Sequence, residues 1–369
     1  LPGITGNFSN AMDTAVYPEW LIDSVEADRR GMLRSDAFRS FLLIVLTAGA
    51  LWLWHKNKLK TTSFVAVLAV LILIDLWAVD KRYLNNSHFI SNRQVENPFP
   101  PTPADEAIFR DKDLYYRVLP LPNPFQDARA SYHHKNVGGY HAAKLRRYQE
   151  VIDHHLMPEL QQMVAGLQAG SSPDSIFKNL AVMNMLNTRY VIYDLKQEPL
   201  RNYKALGNAW FVSDFKMIGS ADDEIAAMKN FNPSETAIID QRFIDHVKSN
   251  NFEKDENGSI RLTEYQPNYL KYDYAATGEQ LTVFSDIYYE DGWQAYIDGK
   301  KIPHFRVNYI LRAMVIPAGE HVIEFKFEPE SYYFGNKVSY ASSLLLILAL
   351  IGYSVTVWRK RKRKEKVIE

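Results

Sequence analysis

The chain has 369 residues, carries 43 Lys plus Arg against 43 Asp plus Glu, and contains no cysteine. That length asks for two or three folded units rather than one small domain. The balanced charge supplies no field to gather nucleic acid, so no nucleic-acid partner is expected, and the lack of cysteine excludes disulfide frameworks, thiolate metal centres and cysteine nucleophiles.

Residues 1–37 precede the first long apolar run. Within them Tyr17-Pro18-Glu19-Trp20 opens a stretch with apolar Trp20, Leu21, Val25 and Met32 among acidic and basic neighbours. This reads as a Pro-started amphipathic helix lying along a leaflet surface, with a solvated linker as the alternative. No basic n-region, apolar h-region and small-residue cleavage site stands before the first span. The expectation is therefore that the sequence is the carboxy-terminal part of a longer polytopic protein and that amino-terminal spans of the same protein are partners.

Three runs have spanning length. Phe38–Trp54 carries Arg39 as its one charge, Ser63–Val79 is broken only by Asp75, and Val338–Trp358 has no charge in 21 residues. Seventeen residues at ~1.5 Å rise cover about 26 Å, close to a hydrocarbon core of about 30 Å. The connection between the first two runs holds Lys56, Lys58 and Lys60, and the tail after the third holds seven basic residues in eleven. Lys and Arg in short connections resist translocation. Both segments are therefore expected in the cytoplasm and the rest outside, where the acidic excess resides. The expected divisions are an external segment with an amphipathic helix (1–37), a transmembrane hairpin (38–79), an external α/β domain (80–255), an external β-sandwich (256–332), and a last transmembrane helix with a basic cytoplasmic tail (333–369).

The external region begins after the proline-rich Asn97–Pro103, which can be neither helix nor central strand. DLYYRVLPL (113–121) has strand character, with Tyr115, Arg117 and Leu119 on one face. Gly138-Gly139 marks a turn, and Leu145, Tyr148, Ile152 and Leu156 recur at helical spacing, with Pro158 expected to kink or split the helix. Strands at 189–193 and 209–213 and a helix starting near Asp222 complete a mixed α/β pattern. From Ser259 onward only strands follow, punctuated by turns about every ten residues, the cadence of a β-sandwich. Alternation places Val283, Val322, Phe325 and Phe327 inward. The fold class is a membrane α+β protein: three transmembrane helices, a mixed α/β domain and an antiparallel sandwich.

Asp75 is the one carboxylate inside a span, a position costing ~2.5–3.5 kcal/mol at the bilayer centre. It lies four residues from the end of its run, so three readings stand open: solvation at the interface, a structural pair with Arg or Lys from the missing amino-terminal spans, or handling of a lipid-linked substrate. His133, His134, His141, His154 and His155 are dense, but His141 and His155 are fourteen residues apart and no His-x-x-x-His or Glu-x-x-His spacing occurs, so no metal site is expected. Tyr288, Tyr289, Trp293 and Tyr296 surround the Asp291-Gly292 turn. Aromatic rings can stack on sugar faces, or they can fill a core or line a membrane interface. Trp293 is expected in the core, leaving Tyr288 or Tyr289 as the surface contact. No nucleotide-binding glycine loop and no serine-hydrolase elbow is present.

Five blocks, DLWAVDKRYLN (75–85), GGYHAAKLRRYQ (138–149), MLNTRYVIY (185–193), GNAWFV (207–212) and YYEDGWQAYIDGKKI (288–302), together resemble the YfhO family of bacterial membrane proteins, in the form found in Bacteroidetes-like bacteria. The resemblance implies a polytopic inner-membrane protein of the GT-C glycosyltransferase type, with large external (periplasmic) domains. It implies transfer of a sugar from a polyprenyl-phosphate carrier to a cell-envelope glycan or polymer. The alternative function is a non-enzymatic anchored envelope protein whose sandwich binds glycan or a protein partner. In GT-C enzymes the catalytic carboxylate stands on the first external loop, which no residue here matches, so no catalytic residue is named. No cofactor is evident in these residues, and a divalent metal would belong to the complete protein. Asp80, Lys81 and Arg82, just outside the second run, are candidate contacts to membrane lipid or a polyprenyl phosphate, alongside Asp75.

Overall fold

The computed structural model describes residues 18–140, 143–247 and 252–368. It divides at Pro98/Phe99 into two compact units. Tyr17 and His141 lie outside the described residues.

The first unit is a helical hairpin, Glu19–His55 and Thr61–Tyr83. The expected surface helix is not a separate element, because it runs without a break into the first span. No proline interrupts residues 19–55, and 37 residues at ~1.5 Å reach about 55 Å, longer than the bilayer itself. The connection turns at Asn57, which adopts a left-handed φ of 56°. Trp54 stacks on Phe64 at 5.3 Å, which closes the hairpin across that turn.

The second unit ends in the helix Glu330–Ile368. Three helices among the described residues are long and apolar enough to cross a membrane, and their apolar windows are almost wholly unburied by protein, as lipid-facing surfaces must be.

Among the described residues the rest of the second unit holds a layer of short helices between Pro103 and Ala227 and fourteen strands: β1 Arg117–Pro120, β2 Thr188–Ile192, β3 Leu200–Arg201, β4 Ala209–Val212, β5 Asp214–Ile218, β6 Thr236–Asp240, β7 Ser259–Gln266, β8 Tyr269–Ala276, β9 Gln280–Ile287, β10 Trp293–Ile297, β11 Lys300–Ile302, β12 Phe305–Val307, β13 Leu311–Ile316 and β14 Gly319–Phe327. They form a small sheet β1-β2-β3, a five-stranded sheet β11-β10-β14-β8-β7, and a six-stranded sheet β4-β9-β13-β12-β6-β5. The five-stranded sheet is antiparallel throughout. The six-stranded sheet is mixed, with β5 parallel to β6.

The six-stranded sheet crosses the expected boundary at 255/256. Strand β4 pairs with β9, and β6 with β12, so the α/β part and the sandwich share one sheet. Within this sheet β9 is buried from Gln280 to Asp286. A strand buried on both faces needs cover on both sides. Phe284 joins Phe325, Tyr272, Met314 and Ile323 between the two large sheets. Leu281 and Val283 point the other way, into a core with Leu156, Met163, Phe177 and Met183 from the helical layer. Val283 is thus inward, but toward the helices. On β14 the residues facing the inter-sheet core are Ile323 and Phe325; Val322 lies one residue out of phase with them, and a period of two sends it to the opposite face.

Pro158 does not split its helix. Helix Arg146–Val151 passes through a π turn, Ile152–Leu156, into helix Met157–Gln168. Proline offers no N–H to the carbonyl four residues back, and the wider turn absorbs the gap. Gly138 is a close approach: a Cβ there would clash with the Pro124 carbonyl oxygen.

Candidate functional site

In the hairpin, the four charged candidates occupy different situations. Arg39 Nε lies 3.4 Å from Asp75 Oδ1, and Arg82 Nη1 donates to Asp36 Oδ1 at 2.8 Å. Arg39 also lies 3.7 Å from Asp36. Asp36 and Arg39 are three apart on one helix, Asp75 and Arg82 seven apart on the other, so each pair shares a helix face and the antiparallel hairpin brings opposite signs together. Lys81 sits with its ammonium 5.5 Å from the centre of the Trp77 ring, and Asp80 is exposed. Of the four, Lys81 and Asp80 face outward, while Asp75 and Arg82 meet charges of the neighbouring helix.

At one end of the sandwich, Tyr288 is half-buried, with its ring 6.0 Å from Phe243 and 5.4 Å from His304; burial raises its pKa. Tyr289 is 40% exposed and is the outward member of the pair. Trp293 is half-buried against the inter-sheet core, and the Arg312 guanidinium lies 4.1 Å from its ring centre. Arg312 is buried and donates through Nε to the Ile287 carbonyl at 3.0 Å; burial lowers its pKa against the pull of Asp286. Burial, followed by the charges of Arg312 and His246, holds His304 down to about 4, so this imidazole is neutral at pH 7.

A larger feature lies in the helical layer. A cleft of about 1490 Å³ opens among Glu159, Lys178, Lys204, Lys229, Asn230 and Asn232. Glu159 accepts the backbone N–H groups of Val182 at 2.7 Å and Met183 at 2.9 Å, at the start of helix Ala181–Met185. Burial pushes its carboxyl up to about 7, with the two N–H bonds opposing. Sequence reading did not single out Glu159, although a signal exists: it falls between Leu156 and Met163 at i+3 and i−4, on the apolar face of its helix, where a carboxylate needs a reason.

The described histidines are dispersed. His133 Nε2 meets the Phe99 carbonyl at 2.8 Å, His134 Nε2 meets Asp105 Oδ1 at 3.0 Å, and His155 Nε2 meets the Ile225 carbonyl at 2.8 Å. Among the described residues no three His, Asp or Glu side chains converge on a position that could hold a metal ion. Asp105 also accepts from Arg129 and from the Thr102 hydroxyl. Burial alone would raise its pKa, but these bonds carry it down to about 2.

Long apolar helices joined to a β-rich unit with a polar cleft define a membrane protein with a large extramembrane domain. Residues 249–339 match the family model described as the bacterial membrane protein YfhO, in agreement with the family resemblance, and one of the five blocks, 288–302, lies within that match. The matched segment takes in β7 through β14 and the start of the last helix. No curated protein and no solved structure matches the chain.

Proposed function

We propose that this chain is the carboxy-terminal part of a polytopic glycosyltransferase of the GT-C type, which moves a sugar from a polyprenyl-phosphate carrier to an envelope glycan at the outer face of a bacterial inner membrane. The observation that carries the reading is the cleft at Glu159. Its lysines, asparagines and histidines offer donors and acceptors suited to a hydroxyl-rich acceptor, on a domain tethered directly to a span.

Transfer needs a base near the acceptor hydroxyl and cationic help for the departing phosphate. Lys81 is the side chain best suited to the second role, because it faces outward at headgroup depth, whereas Arg82 is engaged with Asp36. The base belongs to the first external loop that the family resemblance implies. A divalent metal does not fit the described carboxylates and histidines.

The test is transfer from a radiolabelled lipid-linked sugar. The isolated chain should transfer none; in the complete protein Lys81→Ala should lower donor use several-fold without changing thermal stability. A complete protein that inserts normally and transfers nothing would favour the other reading, a membrane-anchored envelope protein whose sandwich binds glycan or a protein partner.

A further inference from the structure

The β9–β10 loop, Tyr288–Gly292, is fastened to the root of the last membrane helix. Strand β14 ends at Phe327 and the helix begins at Glu330, leaving two residues between sheet and helix. The first of them, Glu328, donates its backbone N–H to the Gly292 carbonyl at 2.6 Å. A Cβ at Gly292 would meet the Phe327 ring at 2.7 Å and Pro329 at 3.0 Å, and the φ of +130° at this residue favours glycine as well. Trp293, next in the chain, pairs with Phe327 across the two strands. Loop and helix root are one packed unit.

The height of that unit above the bilayer follows from the sequence of the helix. Lys337 is the last charge before the uncharged run from Val338, so the hydrocarbon boundary falls near it, with the Lys337 ammonium reaching back toward the headgroups. From Glu330 to Lys337 the helix rises ~10 Å, about the depth of an interfacial layer. In this interval Tyr332, Tyr333 and Phe334 are 61%, 53% and 71% exposed, as aromatic residues of an interface belt are.

We propose that Tyr289 and the loop around it continue this belt, so that the end of the sandwich rests on the headgroup layer of the leaflet that the last helix enters, with phospholipid as its partner. The surface is acidic, with Glu290, Asp291, Glu328 and Glu330 against Lys337. Attraction to anionic lipid therefore cannot hold it there, and the contact is aromatic. A sugar reaching Tyr288 or Tyr289 arrives in the membrane plane, attached to a lipid. The inference does not depend on glycosyl transfer, so failure of the transfer assay leaves it standing.

Because the sequence has no cysteine, single labels report cleanly. Glu290→Cys and Glu279→Cys place a fluorophore beyond opposite ends of β9, both at exposed positions and with Tyr289 kept, about 36 Å apart along extended chain at ~3.3 Å per residue. The full chain is reconstituted in phosphatidylcholine vesicles containing a lipid with a nitroxide on its headgroup, and unchanged melting of each variant confirms folding. The label at 290 should be quenched several-fold more than that at 279, and the difference should persist at high salt and not grow when phosphatidylglycerol is added. Equal quenching at the two sites would overturn the contact. Quenching at 290 that appears only with phosphatidylglycerol and is lost in salt would overturn its aromatic basis.

Discussion

Arg39 stands 3.4 Å from Asp75 across the helical hairpin, a guanidinium and a carboxylate that each lie inside an otherwise apolar run. Neither charge is then carried alone into lipid, and the pair fixes the register of the two helices. Removing one partner strands the other: Arg39→Leu or Asp75→Leu alone is expected to cost ~3–5 kcal/mol, whereas the double substitution should come close to neutral. A double-mutant cycle on hairpin stability in detergent measures the difference, and additive single effects would dissolve the coupling.

Trp293→Ala is expected to destabilise the extramembrane domain by about 2 kcal/mol, roughly half the loss from a fully buried aromatic, because the ring is half-buried. Part of that loss is the contact with Arg312. Tyr289→Ala should leave the melting temperature unchanged in the same thermal scan.

The acid limb of stability should depend on Asp105. Its carboxyl titrates at about 2 when folded and at 3.8 when unfolded, so its contribution is complete above about pH 4 and disappears as pH falls through 2. Asp105→Asn should lower stability at pH 7 by about 2–3 kcal/mol and flatten that limb. Denaturant titrations of parent and variant from pH 2 to 7 would detect it.

Glu159 gives the opposite slope. Its folded pKa of about 7 lies above the reference value of 4.5, so the folded state holds the proton more tightly and stability declines as pH rises from 4.5 to 7. Above that window the penalty is constant. Glu159→Gln should remove the decline, which unfolding curves across the window would show.

Orientation rests on the lysines of the hairpin connection and the basic tail. A reporter active only outside the cytoplasm should work when fused after Gly170 and be silent after Lys364. The reverse result would invert the placement of every domain.

The three long apolar helices and the succession of strands from Ser259 onward were legible in the chain, because uncharged runs, period-two alternation and recurring turn residues are local properties. Val322 shows the limit even there, since one residue of phase separates the inner face of β14 from the outer. Other features depend on which distant segments meet. Asp36, Arg39, Asp75 and Arg82 become two pairs only when the hairpin closes, and β4 and β6 join the sandwich only by pairing with β9 and β12, far along the chain. Glu159 owes its raised pKa to burial, and the N–H groups that oppose the rise come from the helix starting at Ala181, more than twenty residues away. Local patterning decides what each segment can be; burial and ion pairing are settled between segments, where the energy of a side chain depends on neighbours that its own stretch of sequence does not name.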